Sequence, residues 1–117
     1  MGIGPSPVLT ELLDMSEEEF RVKYKYSPVK RAKWAGLRRN AAIALGNVGD
    51  PESVPALVRA LNGEPPLVRG HSAWALGRIG GEASLRALRE RAAIEDDEWV
   101  REEIGLALEM LAETQNE

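Results

Sequence analysis

The sequence contains no cysteine among its 117 residues, which excludes disulfides, thiolate zinc sites and iron–sulfur clusters built on its own side chains. Aromatic residues make up only 5% of the chain. No apolar run reaches the length of about 18 residues that a membrane-spanning helix needs. Residues 1–7 lack both the basic residues and the long apolar run of a secretory signal. These absences predict a cytoplasmic protein that does not enter a membrane.

Charged residues are abundant, at 29% of the chain, but the two signs are unevenly distributed. Eight basic residues and no acidic residue lie between Arg21 and Arg39, whereas the other seven basic residues share the rest of the chain with all 19 acidic ones. The net charge of −4 conceals this asymmetry. A basic segment in an acidic protein indicates a polyanionic partner for one face.

A short sequence recurs along the chain. Residues 37–49 match residues 68–80, and residues 100–111 form a weaker third copy. The matching columns are Leu37/Val68/Val100, Arg38/Arg69/Arg101, Ala44/Ala75/Ala107, Leu45/Leu76/Leu108 and Val48/Ile79/Leu111. The apolar columns lie at helical spacing and predict one buried face of an amphipathic helix in each copy.

A second helix follows the first two copies, after Asp50-Pro51 in one and after Gly80-Gly81 in the other. Such a helix–turn–helix unit buries its apolar face only by stacking on its neighbours. Ahead of the repeats, the sequence predicts a helix over Pro7–Asp14, a helix opened by the capping box Ser16–Glu19, and a basic helix that Gly36 interrupts. We predict one domain over 1–117, with cap helices at 8–36, repeats at 37–63 and 64–94, and a half repeat at 97–113.

The Val-Arg, Ala-Leu-Gly and Ile-Gly columns resemble HEAT-like repeats of the short bacterial type. The resemblance implies an all-α fold, a short right-handed α–α superhelix of the HEAT or armadillo type with N-terminal capping helices. Closely packed helices with small residues at their crossings fit the high content of Ala, Leu and Gly.

Four strings carry a more specific resemblance, to the C-terminal region of epoxyqueuosine reductases. They are LLDMSEEEFR at 12–21, GLRRNAAIALGN at 36–47, PLVRGHSAWALG at 66–77 and WVREEI at 99–104. Enzymes of that family reduce epoxyqueuosine to queuosine in tRNA with cobalamin and two cysteine-bound four-iron clusters, and their HEAT-like domain helps to hold the anticodon arm. Because this chain has no cysteine, the resemblance implies a module without the reductase chemistry and without a cofactor.

The basic segment and its aromatic residues are the candidate nucleic-acid-binding site. Lysine and arginine bind phosphates, and aromatic side chains beside them can stack on unpaired bases. The candidate residues are Arg21, Lys23, Lys25, Tyr26, Lys30, Arg31, Lys33, Trp34, Arg38 and Arg39. The alternative interpretation is a solvated helix face whose aromatics seal the end of the stack. Arg38 recurs in register with Arg69 and Arg101, which also favours a structural arginine that braces successive repeats.

No residue pattern indicates catalysis or metal binding. His71 is the only histidine and is predicted to be a partly exposed helix residue. Trp74 aligns with apolar residues and is predicted to lie in the core, while Trp99 is predicted to pack at a helix entry. The acidic clusters lie at helix starts, where they complement the helix dipole.

The resemblance implies a tRNA anticodon arm as the partner of this module. A protein–protein scaffold is the alternative, docking on an acidic partner or on a separate catalytic reductase domain. A purely structural domain with no ligand is a third interpretation. We predict a monomer, because acidic residues give the last helix a charged outer face.

Overall fold

The computed structural model describes residues 7–25 and 30–115, except for the side chains at positions 7, 30 and 115. The regular elements of these ranges are helices, which confirms the predicted all-α fold. They are α1 (Pro7–Asp14), α2 (Glu17–Lys23), α3 (Lys30–Val48), a 3₁₀ turn (Pro51–Ser53), α4 (Val54–Leu61), α5 (Pro66–Ile79), α6 (Glu82–Ala92) and α7 (Glu98–Gln115). No helix in the described ranges combines the length and apolarity needed to cross a membrane.

The helices form two layers. Helices α3, α5 and α7 carry the repeated sequence and pack side by side, with α5 between the other two. Helices α1, α4 and α6 form the second layer and pack against the first. The fully buried side chains between the layers include Leu13, Leu45, Leu57, Leu76 and Leu88. Most of the repeat columns predicted from the sequence form this core, but Val48 does not, because it is 52% exposed at the end of α3, and Leu37 packs instead with Phe20 and Trp34.

Small residues set the close approach of the first-layer helices. A Cβ atom on Gly46 would lie 2.8 Å from the Trp74 ring and 2.9 Å from the Ala75 Cβ. A Cβ atom on Gly77 would lie 2.8 Å from the Ala107 Cβ. Both separations are shorter than real Cβ contacts, so any residue larger than glycine would push the helices apart. The expectation of small residues at the helix crossings is confirmed.

The structure confirms one prediction for the N-terminal helices and corrects another. The Ser16 hydroxyl accepts a hydrogen bond from the Glu19 amide at 3.0 Å, and the Glu19 carboxylate accepts one from the Ser16 amide at 2.8 Å, which completes the predicted capping box. The predicted interruption at Gly36 is wrong, because α3 runs through that residue without a break. A glycine inside a helix costs only about 1 kcal/mol relative to alanine, and the buried residues on both sides of Gly36 outweigh that cost.

Candidate nucleic-acid interface

Helix α2 places basic side chains at the surface. Arg21 and Lys23 lie in its last turn, and Lys25 follows it; all three are exposed. Tyr24 ends the helix with its ring 37% exposed, stacked on the buried Phe20 ring at a centroid distance of 4.6 Å. The Lys23 ammonium lies 5.9 Å from the Tyr24 ring centroid. An exposed aromatic face therefore lies beside exposed cations at this end of the stack.

The first turns of α3 add further cations. Lys33 is exposed, and Arg39 is half-buried and donates a hydrogen bond to the Asn40 side chain at 3.1 Å. Arg31 is exposed and forms an ion pair with Glu17 of α2 at 2.6 Å. This pair neutralises part of the charge that the sequence places between residues 21 and 39, and it ties α2 to α3.

The location of Trp34 corrects a sequence prediction. Its ring is only 6% exposed and packs with Phe20 and Ala35 between the N-terminal helices. Its indole N–H donates a hydrogen bond to the Met15 carbonyl at 2.8 Å. A base cannot stack on a ring that the protein already covers. Trp34 therefore seals the end of the stack, as in the alternative interpretation.

Arg38 is likewise withdrawn from the surface. It is buried beneath the Trp34 ring, with its guanidinium 4.8 Å from the ring centroid. Its Nε donates to the Leu13 carbonyl at 2.8 Å and its Nη1 donates to the Glu64 carbonyl at 2.6 Å. Burial lowers the pKa of Arg38, and the nearby Asp14 carboxylate opposes this effect. Because Arg38 is buried and its Nε and Nη1 donate to carbonyls of two other segments, it braces the repeat and is withdrawn from the surface where a phosphate would bind.

Arg69 occupies the same column in the next repeat and is also buried. Its guanidinium donates two hydrogen bonds to the Glu95 carboxylate, at 2.9 and 2.8 Å, and one to the Gly63 carbonyl at 3.0 Å. The Glu64 carboxylate lies 3.3 Å away. The predicted bracing role is confirmed for the first two arginines of the column, whereas Arg101 is exposed.

Glu95 is the buried partner of Arg69, and the sequence pattern does not predict this contact. Its side chain is fully buried and also accepts hydrogen bonds from Arg91 at 2.8 Å and from the Asp97 amide at 3.0 Å. Burial by itself raises the pKa of Glu95, but the hydrogen bonds from Arg69, Asp97 and Arg91 outweigh it and lower the pKa from 4.5 to about 2. Glu95 therefore remains ionised in the folded protein at neutral pH.

Fewer of the predicted site residues lie at the surface than the sequence suggests. Tyr26 lies outside the described residues, as does the side chain of Lys30. The exposed basic residues on α2, just after it and in the first turn of α3 are Arg21, Lys23, Lys25, Arg31 and Lys33. They surround the N-terminal end of the stack, and Lys23 shares a surface groove with Glu11, Asp14 and Glu19. We call these basic residues, with Tyr24, the basic face.

Comparison with known proteins identifies the architecture. The family model described as HEAT repeats matches residues 32–109, which is most of the chain. The chain belongs to the HEAT-repeat family. We call the two packed helical layers of this chain the HEAT stack.

The HEAT stack is similar to part of a larger group of proteins. It is 37% identical over 111 residues to an epoxyqueuosine reductase of Bacillus cereus, covering 92% of this chain and 28% of that protein. It is 34% identical over 109 residues to the epoxyqueuosine reductase of Bacillus subtilis, covering 90% and 28%. The resemblance stated from the sequence strings is confirmed, and the chain spans about 28% of the length of these relatives.

A solved structure of epoxyqueuosine reductase with an epoxyqueuosine-modified tRNA-Tyr stem loop also matches the HEAT stack. The TM-score is 0.78 at 32% sequence identity, and the match covers 89% of this chain and 28% of that one. The structural likeness thus extends over most of the chain.

His71 has contacts within the HEAT stack that hold it in place. His71 is partly buried, and its Nδ1 lies 2.8 Å from the Leu67 carbonyl within α5. Its ring packs against Trp99 at a centroid distance of 5.3 Å. Within residues 7–25 and 30–115, no three His, Asp or Glu side chains are grouped as a metal site would require.

Proposed function

We propose that this chain is a non-catalytic RNA-binding module that holds the anticodon arm of a tRNA through its basic face. The observation that carries the proposal is the cluster of exposed cations beside an exposed tyrosine on α2 and α3. The likeness to a reductase solved with a tRNA stem loop supports the choice of RNA. The functional groups that the basic face offers are cations and a phenol, which suit binding rather than a chemical step.

The cations of the basic face can neutralise RNA phosphates. Binding of lysine and arginine to phosphates releases condensed counterions, and this release dominates the affinity at low salt. The ion pair between Arg31 and Glu17 is a weak competitor, because an exposed pair contributes only about 0–1 kcal/mol. A phosphate can therefore replace the Glu17 carboxylate at Arg31 at little cost.

Among the described residues, Tyr24 and not Trp34 is the aromatic residue that would stack on a base. Its ring is partly exposed, is held in place by Phe20 and lies beside the Lys23 ammonium. Stacking of a base on such a ring contributes about 1–3 kcal/mol and needs no particular base. Tyr24 would thus hold an unpaired loop base while the cations contact the backbone.

Titration of a fluorescent tRNA-Tyr anticodon stem loop at several salt concentrations tests the proposal. We expect the affinity to fall steeply with salt. The triple variant Arg21→Glu, Lys23→Glu and Lys33→Glu should weaken binding, and the slope of log affinity against log salt should become shallower by about 0.7–0.9 for each lost phosphate contact. Tyr24→Ala should lower the affinity at every salt concentration and leave the slope unchanged, because stacking releases no counterions.

A matched control reverses charge elsewhere. Arg86 and Arg89 are exposed on α6, away from the basic face, so the double variant Arg86→Glu and Arg89→Glu should change the affinity much less than the triple variant. A loss of binding free energy in the double variant that is about two thirds of the loss in the triple variant, in proportion to the charge reversed, would mean that the RNA senses only net charge. Full retention of binding in the triple variant would refute the assignment of the site and direct attention to a protein partner for the basic face.

A further inference from the structure

A groove on the opposite half of the molecule is not used by the basic face. It lies between α5 and α7 and has a volume of about 290 Å³. Its floor and walls are apolar at Trp74, Leu106 and Met110, and its rim on α7 carries Glu103, Glu109 and Glu113. Leu106 is 57% exposed, which leaves a large aliphatic side chain in contact with water.

The repeat explains why the groove is open. Ile43, Trp74 and Leu106 occupy one column of the repeat on α3, α5 and α7. Trp74 reaches across to α3 and covers Gly46, so the space between α3 and α5 is filled. Leu106 has a shorter side chain and leaves the next space in the layer, between α5 and α7, unfilled.

The groove has the spacing of a helix-binding surface. Glu103, Leu106, Met110 and Glu113 follow one another at intervals of three and four residues, so they form one stripe along α7. The stripe is about 15 Å long at 1.5 Å per residue, which matches roughly three turns of a second helix. The volume is at the lower limit of about 300 Å³ for small-molecule pockets and suits a few aliphatic side chains.

The charges around the groove select its occupant. Three carboxylates line the α7 side, and on the α5 side the Arg78 guanidinium lies 5.3 Å from the Trp74 ring centroid. The carboxylates repel nucleic-acid phosphates and attract lysine and arginine. A partner that fits both features is apolar along one stripe and basic beside it.

We propose that this groove binds an amphipathic, basic helix of a protein partner. Aliphatic side chains of that helix would pack on Leu106, Met110 and Trp74, and flanking lysine or arginine residues would pair with Glu109 and Glu113. This is the helix-in-groove form of recognition, with anchors spaced three and four residues apart. The proposal does not depend on RNA binding, because the groove and the basic face share no residue.

A pair of synthetic peptides tests the proposal. The first is a helical peptide of about four turns with leucine along one stripe and lysine on the flanks, and the second has glutamate in place of every lysine. We expect the lysine peptide to bind with a Kd below about 1 mM and the glutamate peptide to bind at least about tenfold more weakly. Amide and indole NMR shifts should change at Trp74 and along α7, and not at the basic face.

Two variants separate apolar docking from simple charge attraction. Leu106→Asp should lower the affinity for the lysine peptide about tenfold, the loss expected for one buried leucine contact. Charge attraction alone predicts the opposite, because the variant makes the groove more acidic. The double variant Glu109→Lys and Glu113→Lys should also lower the affinity, whereas Glu11→Lys with Glu90→Lys, which reverses two exposed carboxylates on α1 and α6 outside the groove, should not.

Several outcomes overturn the proposal. They are no binding of the lysine peptide, tighter binding to the Leu106→Asp variant, and equal losses in the two double variants. Dimerisation of the wild-type chain that Leu106→Asp abolishes would show that a second copy occupies the groove. NMR shifts in the groove on addition of the tRNA stem loop would show that RNA occupies it. Circular dichroism of each variant confirms that a lost interaction reflects the surface and not unfolding.

Discussion

Replacement of Glu95 by glutamine tests the energetic role of the buried ion pair most directly. The change keeps the size and shape of the side chain and removes its charge. In the native protein this carboxylate is fully buried and accepts two hydrogen bonds from Arg69. A glutamine presents one carbonyl oxygen and an NH₂ group, so one guanidinium donor of Arg69 would face another donor. The variant therefore removes the buried counterion of Arg69 and leaves only the Glu64 carboxylate, 3.3 Å away.

Two independent arguments give the size of the effect. Removal of one partner of a buried ion pair costs about 3–5 kcal/mol. The lowering of the Glu95 pKa from 4.5 to about 2 corresponds to about 3 kcal/mol at neutral pH, at 1.36 kcal/mol for each unit. For a chain of 117 residues, a loss of about 3 kcal/mol lowers the melting temperature by about 12 °C. The remaining contact of Arg69 with Glu64 makes the lower figure the better expectation.

The pH dependence has a definite sign. The folded pKa is lower than the unfolded one, so the stabilisation is complete well above pH 4.5 and is lost as the pH falls toward about 2. Urea unfolding followed by circular dichroism at pH 7 and pH 3 should therefore show a stability difference between wild type and Glu95→Gln that shrinks by about 2 kcal/mol. The exposed residue Glu90 provides the control, and Glu90→Gln should change stability by less than about 0.5 kcal/mol.

A constant stability difference between pH 7 and pH 3 would refute the reasoning, because it would assign the effect of Glu95→Gln to packing rather than to charge. A loss below about 1 kcal/mol at pH 7 would refute it also, since it would place Glu95 in the range of an exposed ion pair.

Further predictions concern local structure. Gly46→Ala should destabilise the protein by about 1–3 kcal/mol, because its methyl group would meet Trp74 and Ala75. Gly36→Ala lies on the same helix but meets only the Arg39 side chain, at 3.5 Å, and should stabilise the protein by up to about 1 kcal/mol; thermal unfolding of the two variants measures both, and equal effects would contradict the packing argument. Ser16→Ala should cost about 1 kcal/mol by removing the cap of α2, and an unchanged melting temperature would show that α2 does not depend on its cap.

The fold could be predicted because the sequence repeats its own core. Columns such as Leu45/Leu76 recur at a fixed interval, and each copy confirms the helical period of the others. The predicted break at Gly36 is wrong because the local cost of a helical glycine, about 1 kcal/mol, is smaller than the stabilisation from the buried residues on both sides of it. Trp74, which is predicted to lie in the core, is half-buried: it packs on Gly46 at the edge of the core, and part of it lines a groove that the repeat pattern does not predict.

The candidate site is harder to predict because a charged residue in a sequence does not show whether its side chain is buried or exposed. Arg38 and Lys33 look equivalent in composition, yet one lies beneath Trp34 and the other is exposed. The repeated arginine column is the signal that points to Arg38 and Arg69 as structural cations, although its third member, Arg101, is exposed. The partner of Arg69 could not be read in the same way, because Glu95 lies 26 positions away in an acidic cluster that looks like an ordinary helix start.

Both buried arginines contact the linker at residues 62–65, which joins α4 to α5. Arg38 reaches the Glu64 carbonyl from one repeat, and Arg69 reaches the Gly63 carbonyl and the Glu64 carboxylate from the next. Stacked repeats can fray from one end when the interfaces between neighbours are weak. Here the linker is fastened on both sides, so neither repeat can open without releasing the other, and the stack is expected to unfold as a single cooperative unit.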